Sequence, residues 1–397
     1  MKPIKQQKAV IVILLSNIFI AFVGIGLVVP VMPSIMTEMN LSGKTMGYLV
    51  AVFAVAQLLM SPISGRWVDR YGRKKMILAG LFLFAVSELL FGLGQHVSVL
   101  YASRLLGGVS AAFVMPAVTA YLADITTVEE RPQAMGYLSA AISTGFIIGP
   151  GIGGFVAEHG IRLPFYLAAG IAFAACAVSL FLLKEPMTKK QLAELAGQTK
   201  ESSFFGDLKK SFRPDYFIAF LIVFVLAFGL SAYETIFSLF SDHKFGFSPQ
   251  DIAAIITISA VFGVIVQLFL FGKMVEKIGE KRLIQLCLVA GAVLAVLSTM
   301  VDGFLLVLAV TCFIFLAFDL LRPALTSYLS KAAGKEQGYV AGMNSTYTSM
   351  GNIAGPALGG MLFDVDINFP YLFAAVVIFI GLLLTTVWKE RQPIKSN

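Results

Sequence analysis

The sequence predicts an all-α membrane protein of about twelve transmembrane helices in two pseudo-symmetric six-helix bundles. Three observations carry that expectation. The chain has 397 residues, 58% hydrophobic and 13% charged, whereas a soluble domain carries roughly 25% charged residues. Apolar runs long enough to span a bilayer recur along its length. Two motifs also repeat at nearly one offset, the mark of a duplicated chain.

The runs centre near Phe22, Ala54, Phe84, Ala111, Phe146 and Phe173, then near Phe228, Val264, Val289, Phe315, Ile353 and Ile378. Each approaches the roughly 20 residues needed to cross a hydrocarbon core. Lys2 to Lys8 precede a first run that continues past Val29. It is longer than a signal-peptide h-region and lacks a small-residue cleavage site, so an uncleaved first span is expected. Gly and Pro inside the runs do not demote them, because membrane helices tolerate kinks that neighbours re-satisfy. Lys184 to Arg213 is the longest polar stretch. It is read as a cytoplasmic linker, residues 184–213, joining an N-terminal bundle (1–183) to a C-terminal bundle (214–397).

Orientation follows from the positive-inside rule. Of the 30 Lys and Arg residues, only Lys44, Arg162 and Lys244 fall in loops on one side, and Arg104 and Arg322 fall within spans. The other side carries the rest, which places both termini and the linker in the cytoplasm of a multi-pass cell-membrane protein. The net charge of +7 is spread over short loops and forms no stripe or tail, so no nucleic-acid partner is expected. Cys176, Cys287 and Cys312 all lie in apolar runs, which argues against a disulfide framework or a metal cluster. The three histidines fall in outer loops, where solvation is the ordinary fate.

The repeated motifs come next. Gly65 to Lys75 reads G-R-W-V-D-R-Y-G-R-K-K, and Gly272 to Arg282 reads G-K-M-V-E-K-I-G-E-K-R, 207 positions on. This is a basic hairpin, with glycine for the turn and cations for the anionic membrane face. Asp69 can cap a helix or pair with Arg73, and such contacts can be made and broken. Gly65, Asp69, Arg70, Gly72 and Arg73 are therefore the candidate gating loop. Gly145 to Gly154 (G-F-I-I-G-P-G-I-G-G) recurs at Gly351 to Gly360 (G-N-I-A-G-P-A-L-G-G). Gly145, Gly149 and Gly153 make one smooth face for close helix approach; Pro150 interrupts the backbone ladder, and Gly154 closes the motif.

Charges inside spans are costly and usually serve a pathway. Five occur: Glu88, Arg104, Glu234, Asp319 and Arg322. Asp319 and Arg322, three apart on one helix, can pair. Glu234 lies in a polar stripe with Ser231, Thr235 and Ser238 and has no cation in its own helix. A carboxyl removed from water can carry a proton near neutral pH or, when ionised, hold a cationic ligand. Glu88 lies nearer the outer end of its span and is given an ordinary structural role. Arg104 could neutralise Glu234 or a passing anion. Depth and helical spacing make Asn17, Phe22, Phe53, Gln57, Phe146, Asn344, Thr348 and Asn352 candidate cavity residues. Phe315, at the centre of its span, joins them. Aromatic faces beside a carboxylate suit flat, apolar cations.

No P-loop occurs, so the energy source is expected to be an ion gradient or the solute itself, with no cofactor. No nucleophile–base or metal spacing appears in a loop, so no enzyme is expected.

G-I-G-L-V-V-P-V-M-P (Gly24 to Pro33), S-A-Y-E-T (Ser231 to Thr235), F-D-L-L-R-P-A (Phe318 to Ala324) and N-S-T-Y-T-S-M-G-N (Asn344 to Asn352) carry a resemblance that runs nearly end to end. With the two repeated motifs, they resemble the major facilitator superfamily. Within it they most resemble the NorA/Bmr-type multidrug:proton antiporters of Gram-positive bacteria. The resemblance implies the major facilitator fold and a monomer that exports diverse lipophilic, often cationic or zwitterionic drugs. Dyes, quaternary ammonium compounds and fluoroquinolones are the expected substrates, exchanged for protons. It implies proton coupling at Glu234 and Asp319, and a drug cavity that includes Arg322, Phe22, Phe53, Gln57, Phe146 and Asn352. The hairpin resembles the superfamily's gating loop, and Gly145 to Gly154 its exporter motif. R-L-L-G-G-V-S-A-A (Arg104 to Ala112) resembles the family's arginine motif but lacks its glutamine. Two other readings stay open: a transporter of one metabolite class or a lipid on the same fold, and a membrane receptor that does not transport.

Overall fold

The computed structural model describes residues 4–127, 130–188, 190–192, 204–212, 217–333 and 337–387, and among them all regular structure is helical. The middle of the linker, with Lys200, and the C-terminal Lys389, Arg391 and Lys395 lie outside the described residues. The first span is α1 (Ile4–Val28) and α2 (Met32–Glu38), joined by a 3-10 turn at Val29–Val31 where Pro30 and Pro33 deny backbone donors. Then come α3 (Gly43–Tyr71), α4 (Arg73–Leu93), α5 (Val97–Ile125), α6 (Arg131–Ala157) and α7 (Leu163–Leu182). A short α8 (Phe204–Ser211) lies in the linker. The second set is α9 (Phe217–Phe245), α10 (Pro249–Ile278), α11 (Glu280–Ser298), α12 (Phe304–Ala333), α13 (Gln337–Phe363) and α14 (Phe369–Val387).

Eleven segments among the described residues are long and apolar enough to cross a membrane. The remaining long helix, α13, is diluted by Asn344, Thr346, Thr348, Asn352 and its glycines. That is the composition of a helix facing something other than lipid. Pro62, Pro116, Pro150, Pro323 and Pro356 all sit inside continuous helices.

Contacts gather the chain into two units: Met1–Asn40 with Val52–Lys200, and Leu41–Ala51 with Glu201–Asn397. In the first, α1 packs on α6 and α7, and α4 on α5 and α7. In the second, α9 packs on α13 and α14, and α11 on α12 and α14. The same pairings therefore recur in both. The start of α3 falls in the second unit because Gly43 and Gly47 admit the backbone of α13 at Gly360 and Pro356. Asp364 accepts hydrogen bonds from the Gly43 and Lys44 amides at 2.7 and 3.0 Å, satisfying orphan donors of that helix start.

The glycine motif does the same job twice. A Cβ on Gly145 or Gly149 would meet the carbonyl oxygens of Phe19 or Val23 on α1 at 2.9 or 2.7 Å. On α13, Gly351 and Gly355 sit equally close to the carbonyls of Phe224 and Phe228 on α9, at 2.8 and 2.6 Å. Gly153 is pressed against Leu27, and Gly154 is buried. Each copy thus seats the fifth long helix of its unit on the first, as small-residue faces allow. Pro150 does not break α6; its ring packs over Gly26, where a Cβ would lie 2.8 Å away.

Candidate functional site

The second unit carries the acids. α9 is buried along most of its length, yet Glu234 is exposed between buried Tyr233 and Thr235. Tyr233 is anchored from behind: its hydroxyl shares a 3.2 Å hydrogen bond with Thr311, and its ring meets Phe315 edge-on at 6.1 Å. That anchoring fixes the direction in which the next residue points. Asp319 is half-buried on α12 and Arg322 is exposed one turn on. The sequence spacing permits an Asp319–Arg322 pair, but the two do not close to within 4.0 Å. Arg322 instead acts electrostatically on both Asp319 and Glu234, and Asp319 acts on Glu234. The three charges thus act on one another, with Glu234 and Arg322 exposed and Asp319 half-buried. Asn344, Thr348 and Asn352 line a half-buried face of α13 in the same unit. Phe315 is 8% exposed and serves mainly as packing for Tyr233.

Gly263 was not singled out by sequence, because nothing in its own helix sets it apart. It lies on α10 against Asp319, where any Cβ would collide with the carboxylate. Gly263→Val is therefore expected to displace Asp319 and cut transport at least as far as Asp319→Asn does. Normal membrane yield with transport intact would refute that placement.

The first unit holds the aromatic candidates. Phe22 and Phe146 meet edge-to-face with ring centroids 4.9 Å apart, and Phe146 is 45% exposed. Phe53 and Gln57 are half-buried on α3. They lie over Gly107 and Gly108 of α5, whose missing side chains let α3 approach: a Cβ on Gly107 would reach the Phe53 ring at 3.1 Å. Asn17 requires a correction. It is 2% exposed, and its amide donates to Ser179 at 2.8 Å while its carbonyl accepts from the same hydroxyl at 3.2 Å. Its polarity is satisfied inside the α1–α7 contact and faces no cavity. Arg104 also differs from expectation, because its partner is Glu88. Both are buried, at 1% and 8%, and they pair with each other at 3.9 Å.

The basic hairpin is scarcely a loop. α3 runs to Tyr71 and α4 begins at Arg73, leaving only Gly72 between them at φ +101°, a conformation that favours glycine. Arg73 is 4% exposed. It reaches Asp124 at 2.7 Å, Asp69 at 3.3 Å and the Val68 carbonyl at 3.1 Å. Glu185 accepts from the Arg73 and Lys74 amides at 3.1 and 2.9 Å, a carboxylate at a helix N-terminus where the dipole favours it. Gly65 has no neighbour that a Cβ would touch, and the Arg70 guanidinium lies over its neighbour Tyr71.

The second copy keeps the turn, with Gly279 at φ +80°, and inverts the charges. Glu280 stands at the position of Arg73 and pairs at 2.9 Å with Lys331 on α12. Asp124 and Lys331 are 207 residues apart, as are Arg73 and Glu280. The duplicated ion pair has survived with its polarity reversed. Asp124, Glu185 and Lys331 were missed by sequence; the common offset could have found the Asp124–Lys331 correspondence.

The comparisons with known proteins agree with one another. The Major Facilitator Superfamily model matches residues 14–243 and 219–397. The chain is 67% identical over 391 residues to "Multidrug resistance protein 2" of Bacillus subtilis, covering 98% of each chain. It is 40% identical over 382 residues to "Quinolone resistance protein NorA" of Staphylococcus aureus, covering 96% of this chain and 97% of that one. Among solved structures, a bacterial homologue of the human lysosomal transporter Spinster superposes with a TM-score of 0.81 at 15% identity. That match covers 98% of this chain and 97% of the other, and it speaks to the fold alone.

Proposed function

Because the chain belongs to the Major Facilitator Superfamily, we propose that it is a proton-coupled antiporter. It exports structurally diverse lipophilic drugs, often cationic or zwitterionic: dyes, quaternary ammonium compounds and fluoroquinolones. The observation that carries the proposal is the coupled group of Glu234, Asp319 and Arg322, an open set of charges inside apolar helices. A static structural cluster would be closed and fully bonded, since an unmet charge in such surroundings is expensive. The sequence relatives carry multidrug and quinolone resistance in their names, which supports the substrate range.

The cycle follows alternating access. A drug enters from the cytoplasm or the inner leaflet while the acids are ionised. Protonation of Glu234 and Asp319 from outside withdraws the negative charge and releases it. Loss of those protons inside resets the carrier. The coupling is a difference in affinity between states. The proton gradient is the energy source and no cofactor takes part. The protein acts as a monomer in the cell membrane, with both termini cytoplasmic.

The test is ethidium transport in everted vesicles with and without a protonophore, repeated with chemically unrelated dyes. Uptake that survives the protonophore would overturn the coupling. Transport confined to one chemical class would favour a single-substrate carrier, and no transport at all a receptor. The cavity assignment has its own check: Phe53→Ala and Gln57→Ala should each change the ratio of rates among the dyes. An unchanged profile would place the cavity elsewhere.

A further inference from the structure

Proton coupling, as proposed above, uses carboxyl groups of the second unit only. The first unit holds a buried ion pair that the cycle leaves unused. Glu88 stands near the end of α4 and Arg104 near the start of α5, two helices that pack on each other. Their neighbours Ser87 and Ser103 clamp the two helices: each hydroxyl donates to the other residue's carbonyl, at 2.7 and 2.8 Å. The clamp joins the two backbones and commits both hydroxyl protons, leaving none to donate to Glu88.

The pair itself is loose. Arg104 Nη1 and Glu88 Oε1 are 3.9 Å apart, well beyond the 2.7–2.9 Å of a charge-assisted hydrogen bond. Glu88 Oε2 and Arg104 Nη2 are both buried without a hydrogen-bond partner. The guanidinium rests instead on the face of Phe91, 4.2 Å from the ring centroid, and Phe91 is held by stacking on Phe165 at 4.6 Å. Arg104 thus has a second resting place that does not depend on Glu88 being ionised. A pair kept only for stability should be closed and fully bonded; this one is built to be opened.

We propose that Glu88 is a third proton-exchanging carboxyl, carried by the first unit, with Arg104 as its counter-charge. The inference rests on the proton-coupled reading. The carboxylate takes one proton from the outer solution to give the neutral acid, Arg104 stays charged over Phe91, and the proton is given up to the cytoplasm later in the cycle. No other bond changes.

The surroundings fit that role. Arg104 is the charged group acting on Glu88. From α7, Tyr166 meets α4 one turn beyond Glu88, where its hydroxyl donates to Gly92 O at 2.9 Å. α1 presents Gly24 and Ile25 to the Phe84 region. One turn beyond Glu88, Arg162 donates to the carbonyls of Gly92 and Gly94 and pairs with Glu38 at 3.1 Å. That places a polar, partly exposed ion pair between Glu88 and the side assigned as outer. On the other flank, α5 continues from Arg104 to Gly107 and Gly108, which bear on Phe53 and the Gln57 backbone. Arg104 thus lies three and four residues from the glycines on which two candidate cavity residues are seated.

The experiment uses purified full-length protein in proteoliposomes with ethidium. Two rates are measured: ethidium–ethidium exchange without a gradient, and accumulation driven by a pH difference, across pH 5–9. Glu88→Gln should keep exchange within about twofold of wild type while driven accumulation falls about tenfold or more. The variant should bind about one proton fewer across that range, and Glu88→Asp should restore much of the driven rate. If Glu234→Gln abolishes accumulation while Glu88→Gln matches wild type in rate and pH profile, this proposal is overturned and the function stands. If neither variant matters, the proton-coupled function itself fails. Should Glu88→Gln lose exchange as well, Glu88→Gln/Arg104→Gln, which removes both buried charges together, decides. Exchange recovered without accumulation supports the proposal. Recovery of both, or of neither, reduces Glu88 to a structural partner of Arg104.

Discussion

Glu234→Gln abolishes proton-driven export of ethidium while the protein still inserts at wild-type levels. The substitution keeps the size and hydrogen-bonding reach of the side chain and removes its capacity to take up a proton. Glu234 is exposed on its helix, and glutamine is isosteric with it, so the fold should be kept. The driven rate should fall by about 10²-fold or more, the scale lost when a required proton-transfer group is removed. Asp319→Asn should lose driven transport too, for a different reason. It leaves Arg322 without the acid on its own helix, so cationic dyes should suffer more than neutral ones. In both variants dye–dye exchange, which needs no net proton, should outlast accumulation. Wild-type ethidium export from Glu234→Gln would sink the assignment.

How much of this was legible in the chain differs from feature to feature. The spans, the duplication and the acids within the spans follow from composition and local spacing, because hydrocarbon imposes those terms on any sequence. The hairpin turn is legible for the same reason: Gly72 and Gly279 are the points where the backbone must take a positive φ. Whatever depends on which helix faces which is hidden. Asn17 has the depth and polarity of a cavity residue, and only the approach of Ser179, 162 positions away, reveals that it is already satisfied. Glu88 looked peripheral because its distance along α4 was visible and its partner on α5 was not. Gly263 carries no local signal; its meaning comes from Asp319 on another helix. The repeat is the exception among long-range features. A common offset relates Asp124 to Lys331 without a structure, and the inversion of charge makes the match easy to overlook.

That inversion sets up the second large effect. Arg73→Ala is expected to disable the carrier, and Glu280→Ala to be tolerated. Arg73 is nearly fully buried and serves Asp124, Asp69 and a backbone carbonyl at once. Removing it leaves two carboxylates facing each other near the membrane surface, and breaking such a pair costs about 3–5 kcal/mol. Glu185, the other charged group at this turn, is itself a carboxylate bound to the backbone amides of residues 73 and 74 and supplies no counter-charge. In the second copy, Lys331 is 65% exposed. Glu280 itself is 9% exposed and also accepts from Ser327, but its removal leaves behind a lysine that returns to water and no buried charge, so the loss should stay below that of Arg73→Ala. The neighbouring acids follow the same asymmetry. Asp69 is paired with Arg73 across one helical turn, whereas Glu276 has the like-charged Glu280 at that spacing. Asp69→Asn should therefore slow transport more than Glu276→Gln. Thermal stability in detergent and initial ethidium efflux rates of the four variants check this together. Equal losses in the two halves would mean that both loops latch alike despite their opposite charges.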